Sequence, residues 1–193
     1  VLEENAMHFI ENLIQSPSWL DLLKITREAN RRAVSQGVTT VQNGLTPAPL
    51  IPLFTWITRL GLVSPRVVVW PAMEVADAVL DGETTLPDAA GPDLWVGAIK
   101  LVADGSIQGY TGYLSEPYHA APGDDPEFRG YPRIGREELH ERVLRYHKAG
   151  FQLSVHGNGD ASIDDILDAV EAALLKRPDP DPRVILIHAQ MAR

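Results

Sequence analysis

Short apolar segments alternate with helical segments along this chain, and that alternation limits its fold more than any other feature. Residues 37–43, 66–70, 96–103, 151–155 and 184–187 are rich in β-branched and apolar side chains. Near-continuous apolar runs of this kind are the pattern of parallel strands covered on both faces. Between them the spacing is helical. Ser16 and Pro17 open the first helix, Leu20, Leu23 and Ile25 give it apolar positions, and Gly37 ends it. Residues 46–60 read as an apolar helix closed by Gly61, and residues 73–81 as a shorter one. Residues 136–148 put Leu139, Val143 and Tyr146 on one face, with Gly150 as terminator. Asp160 is suited to cap a last helix in which Ile163, Ile166, Leu167, Val170 and Leu174 recur at helical intervals. No two-residue hairpin turn separates the strand candidates, so the connections are crossovers.

Alternation of this type builds a parallel sheet from right-handed βαβ units. Five strands cannot close an eight-stranded barrel, which leaves an open doubly wound sheet or the middle of a (β/α)8 barrel. Either way, chemistry belongs at the carboxyl ends of the strands, where Asn43, Asp104, His156 and His188 fall. Residues 104–135 hold Gly, Pro and Tyr with little periodicity, and so long an irregular stretch is usually functional or disordered. An arc of five strands also has two unpaired edges. Such a chain is expected to oligomerise, to aggregate or to be part of a longer polypeptide.

At 193 residues the chain is expected to form a single domain over 1–193. A net charge of −9 without clustered Lys and Arg argues against a nucleic-acid partner. No apolar run approaches the roughly 20 residues of a membrane span. The opening residues carry no secretory signature, and with the absence of cysteine this favours the cytoplasm. Without cysteine, a metal must be held by histidine, carboxylate or a modified side chain.

Lys100 stands inside an apolar strand, where an ammonium is costly unless it is paired, neutralised or chemically altered. It has three readings: a snorkelling lysine on an edge strand, a Schiff-base nucleophile, or an amine that reacts with carbon dioxide to give a metal-bridging carbamate. His156 and His188 each follow an apolar strand directly, about one βα unit apart. Either alone reads equally well as a structural histidine, but together they favour a metal, and with it the carbamate. Asp160 is a helix cap or the partner that orients His156.

The segment from Lys100 through Val102-Ala103-Asp104-Gly105-Ser106, followed by Gly109-Tyr110-Thr111-Gly112-Tyr113 and Ser115-Glu116-Pro117-Tyr118, resembles the amidohydrolase superfamily. His156-Gly157-Asn158-Gly159-Asp160-Ala161 is similar to its fifth-strand motif, Ile187-His188-Ala189-Gln190 to its sixth, and Gly37-Val38-Thr39-Thr40-Val41 to its second. The nearest branch resembles the family-3 amidohydrolases that include N-substituted formamide deformylase. The resemblance implies part of a TIM barrel covering about strands 2 to 6, with Lys100, His156 and His188 as metal ligands and Lys100 carboxylated. It implies hydrolysis of a carbon–nitrogen bond in an amide-like, non-peptide small molecule by metal-activated water. One or two divalent ions are expected, zinc first, with iron or manganese as alternatives. The family's first-strand His-x-His pair, its eighth-strand acid/base aspartate and its β-sandwich have no counterpart here, and His8 lies in a helical pattern. The chain therefore reads as an internal portion of a larger enzyme. Tyr110 and Asp104, on the long loop, are the expected substrate contacts. The rival readings are a metal-free lyase or aldolase working through Lys100, and a non-catalytic binding module.

Overall fold

The computed structural model describes residues 18–87 and 93–193. Ser16, Pro17 and His8 lie outside them. The chain packs as two compact units that divide between Ile99 and Lys100.

The first unit begins with helix α1 (Trp19–Ser35), capped by Ser18, whose side chain accepts the Asp21 amide at 3.2 Å. Leu20 and Ile25, expected to face a core, are exposed, and α1 buries no residue fully. Strand β1 (Thr40–Thr46), helix α2 (Leu50–Arg59), strand β2 (Arg66–Pro71), helix α3 (Met73–Leu80) and strand β3 (Leu94–Val96) follow. The three strands form one sheet in the order β1-β2-β3, with both pairs parallel. Val67, Val69 and Leu94 make its core, joined by the partly buried Val41, Phe54, Val63 and Val96. Pro71 is the last residue of β2, and the next amide, that of Ala72, still donates to the Thr46 carbonyl at 3.0 Å before α3 begins.

The single strand expected over residues 96–102 is two. β3 ends at Val96, and β4 (Ile99–Val102) belongs to a second sheet, ordered β4-β5-β6. The break falls at Gly97. A Cβ there would lie 2.6 Å from the Trp70 indole, so only glycine lets the strand pass this close.

The second unit is a sheet with two helices. Helix α4 (Arg136–Lys148), strand β5 (Leu153–Gly157), helix α5 (Asp160–Lys176) and strand β6 (Ile185–His188) succeed one another, and β5 pairs parallel with β6. The Ala103 amide donates to the His156 carbonyl at 3.0 Å, linking the chain just past β4 to β5. Leu139, Val143 and Tyr146 are buried as their spacing predicts, each contributing roughly 1.5–3 kcal/mol by removal from water. On α5 the buried side is Ile163, Ile166, Ala169 and Ala173, while Leu167 is 54% exposed. Ile163 and Ile166 lie inward as their spacing predicts, Ala169 and Ala173 complete the buried side, and Leu167 points outward instead.

Residues 103–135 form no helix or strand, yet the chain is tied to itself throughout. The amides of Leu114 and Tyr118 donate to the carbonyls of Arg129 and Phe128, and the Arg133 amide donates to that of Ala103. Gly130, at φ 73, approaches the Gly112 carbonyl so closely that a Cβ would be 2.0 Å from it. Two strands of loop pass back to back there, and only glycine fits. Among the described residues no helix is long and apolar enough to cross a membrane.

Candidate metal centre

Lys100 lies on β4 between the fully buried Ile99 and Leu101 and is itself only 7% exposed. Among the described residues its amine has no hydrogen bond and no ion pair. Burial alone lowers its pKa to about 8, so the neutral amine is accessible near physiological pH.

His156 on β5 and His188 at the end of β6 bring their rings to a centroid separation of 4.6 Å, edge to face at 79°. Register alone would not do this. His188 pairs with Gly157, one residue beyond His156, and neighbouring strand positions alternate between the two faces of a sheet. The chain leaves strand geometry at this point: His188 has φ 70 and Ala189 φ 48. Left-handed backbone is uncommon outside glycine, and two such residues in succession store strain of the sort that concentrates at functional sites. The His156 pKa is lowered, first by burial and then by the charges of Lys100 and His188, against the opposing pull of the Gly105 carbonyl and Asp104. Neutral imidazole is the form that ligates metals.

The His156 Nε2 lies 2.9 Å from the Gly105 carbonyl oxygen. The same nitrogen is 3.1 Å from the Asn158 Nδ2, an amide that can only donate; in the tautomer that donates to the carbonyl, Nδ1 keeps its lone pair. A metal-ligating histidine commonly has this arrangement, one nitrogen donating to a carbonyl and the other open. With the amine of Lys100, the two imidazoles are nitrogen donors of the kind that could hold a divalent ion. Among the described residues no three or more His, Cys, Asp or Glu cluster as a metal site. The candidate set reaches three only by including Lys100.

Asp104, expected to touch substrate, is fully buried. Its carboxylate accepts the backbone amides of Tyr113 (3.0 Å), Asn158 (2.9 Å) and Gly159 (2.8 Å), and one oxygen stands 3.5 Å from the His156 Nε2. It ties the loop after β4 to the end of β5, behind the histidines. Tyr110, the other expected contact, is 36% exposed with φ 57, its ring 5.2 Å from Tyr118, which stacks on Phe128. The Tyr118 hydroxyl donates to the Gly112 carbonyl at 2.8 Å, and burial and the nearby Asp104 raise its pKa. Asp160 takes neither role expected of it. Gly159 is the residue at the cap position of α5, and the Asp160 carboxylate accepts the Ser115 amide at 2.9 Å and also its hydroxyl. Asn158 and Gly105 escaped the sequence reading, because only the fold brings residues 105 and 158 together.

A family model described as the amidohydrolase family matches residues 1–193. The YtcJ protein of Bacillus subtilis (strain 168), named provisionally as an amidohydrolase, is 35% identical over 107 residues, 55% of this chain and 19% of its own length. The protein LONG AFTER FAR-RED 3 of Arabidopsis thaliana is 31% identical over 97 residues, 50% of this chain and 16% of its own. The chain thus spans under a fifth of these curated relatives. Two crystal structures of uncharacterized metal-dependent hydrolases are similar in fold, each 26% identical. The one from Pyrococcus horikoshii OT3 has a TM-score of 0.68, covering 86% of this chain and 33% of that one; the one from Pyrococcus furiosus has 0.69, with 87% and 34%. With a family model matching from the first residue to the last, this chain belongs to the amidohydrolase family.

Proposed function

We propose that the chain is part of the (β/α)8 barrel of a metal-dependent hydrolase that cleaves carbon–nitrogen bonds of amide-like, non-peptide small molecules. The observation that carries this reading is the 4.6 Å approach of His156 and His188, on β5 and β6 of the sheet whose strand β4 buries Lys100 without a counter-charge. The similarity to solved metal-dependent hydrolases supports it. Lys100, His156 and His188 would hold the ion, zinc before iron or manganese. When bound, a divalent ion supplies Lewis acidity toward a carbonyl oxygen and brings the pKa of water near neutrality.

The chain's own residues prepare that site. The neutral amine of Lys100 adds through Nζ to carbon dioxide and loses one proton, giving an anionic carbamate. Burial favours the neutral amine that this addition requires. The Gly105 carbonyl keeps the His156 ring in one orientation, and the strained backbone at His188 aims the second ring. Tyr110, exposed on the loop, flanks the substrate. Within the family, the branch containing N-substituted formamide deformylase is the one the chain's motifs favour.

The test is Lys100→Ala in the whole protein, with metal content and amide hydrolysis both measured. Both should fall sharply, and short carboxylic acids should restore part of the activity by standing in for the carbamate. Full metal content with normal turnover would refute the carboxylated-lysine reading. The lowered pKa of Lys100 also suits a Schiff base. Borohydride trapping of substrate on Lys100 would support that second reading instead.

A further inference from the structure

Ser154 is the one polar side chain of β5 besides His156, and it is fully buried. Its hydroxyl has no hydrogen-bond partner among the described residues. A buried hydroxyl left unpaired is costly, and an alanine would fill the same place without that cost. Folding alone therefore does not account for a serine here.

Strand geometry says what the hydroxyl stands beside. Residues two apart in a strand share a face of the sheet, so Ser154 lies on the face of His156. Strands β4 and β5 end together: the Ala103 amide donates to the His156 carbonyl at 3.0 Å, and the Asp104 carboxylate accepts the Asn158 amide at 2.9 Å. The two strands therefore run parallel. In a parallel ladder the first of these bonds pairs Val102 with His156, and two residues earlier the same register pairs Lys100 with Ser154. Paired residues share a face, on strands about 4.8 Å apart. The charge of Lys100 acting on His156 agrees with this placement. An amine and a hydroxyl, both buried and both without partners, thus occupy neighbouring positions and do not bond each other.

We propose that Ser154 is a positioning residue for carboxylated Lys100, its hydroxyl donating to a carbamate oxygen. When the carbamate forms, the Nζ lone pair bonds the carbon of carbon dioxide. One C=O electron pair moves onto its oxygen, and one Nζ proton leaves to solvent. The product has two acceptor oxygens sharing a negative charge, and the hydroxyl gains the acceptor it lacks. This deepens the proposed function and rests on its reading of Lys100 as carboxylated.

The experiment titrates the whole, metal-free protein with 13C-labelled bicarbonate at constant pH and follows the carbamate carbon by NMR. Lys100→Met, which should lose the resonance, assigns it. The native protein should take up label at Lys100, and Ser154→Ala should do so with a carboxylation constant about 10- to 100-fold lower. In carbon-dioxide-free buffer Ser154→Ala should unfold at the same urea concentration or a higher one, because it removes an unpaired group. If the two constants agree within about twofold, the hydroxyl does not hold the carbamate and the proposal fails while the carboxylated-lysine reading stands. Absence of the resonance from the native protein would instead refute that reading, and the proposal with it. A clearly lower urea midpoint for Ser154→Ala in carbon-dioxide-free buffer would show that the hydroxyl serves the fold, and would also overturn the proposal. Should alanine prevent folding, Ser154→Cys keeps the shape with a much weaker donor and is judged by the same titration.

Discussion

Replacing Asp104 by Asn keeps the shape of the side chain and tests the most enclosed polar group near the site. The carboxylate serves three backbone amides, Tyr113 and Gly159 on one oxygen and Asn158 on the other. An asparagine does best by turning its oxygen toward the first pair. Its NH2 then faces the Asn158 N–H, donor against donor, and that buried amide is orphaned at a cost of about 1–3 kcal/mol. The two remaining bonds lose their charge assistance, which is worth roughly 0.5–1 kcal/mol each. A neutral amide is easier to bury than a carboxylate, which offsets part of the loss. The net expectation is about 2–4 kcal/mol, a large share of the roughly 5–15 kcal/mol that holds a typical domain together. Equilibrium urea unfolding should show a lower midpoint at unchanged slope, and limited proteolysis should cut residues 104–135 faster. If Asp104 were instead a substrate contact, the change would raise KM and leave unfolding untouched. A midpoint shift worth less than about 0.5 kcal/mol would refute the argument that Asp104 holds this region together.

Lys100 makes stability depend on pH in a definite direction. Its pKa falls from 10.5 to about 8 on folding, so the unfolded chain binds more protons between those values and stability rises with pH across that window, by about 3 kcal/mol at most. In carbon-dioxide-free buffer without metal, the gap in unfolding free energy between native protein and Lys100→Met should narrow from pH 7.5 to pH 10, and an unchanged gap would contradict the buried unpaired amine. Gly159→Ala should also destabilise, because its Cβ would meet the Tyr113 carbonyl oxygen at 1.9 Å. With φ at −76 the obstacle is contact rather than backbone conformation, and the loop must retreat at a cost of about 1–3 kcal/mol. Unaltered thermal unfolding would mean that the loop stands further from β5.

The alternation of strands and helices was legible because it depends on local periodicity, and α4 was read with its buried face intact. What escaped depends on neighbours distant in sequence. Residues 96–103 have one composition but two ladders, and the clue was Gly97, since an isolated glycine in a strand often marks a close approach of other groups. Helical spacing placed Ile163 and Ile166 in the core of α5 correctly, but it also placed Leu167 there, where Ala169 and Ala173 complete the inner side. Lys100, read inside a strand, and His156 and His188, read at strand ends, fall on β4, β5 and β6 of one sheet. Strand periodicity carried no sign that His188 reaches His156 through left-handed backbone.

Asp104 shows why the site was harder to read than the fold. A carboxylate after an apolar strand looks the same in sequence whether it faces a substrate or a set of amides, and those amides come from residues 113, 158 and 159. The next residue, Gly105, supplies the carbonyl that orients His156, and Asn158 donates to that same carbonyl while its own amide is bound by Asp104. The loop after β4 is therefore part of the support of the histidine rather than a cover laid over it. A change that loosens the loop should reach His156 through Gly105 even where it touches no ligand. Loop mutants are accordingly expected to shift the His156 ring resonances before they lose the sheet, whose ladder between β5 and β6 does not depend on those contacts.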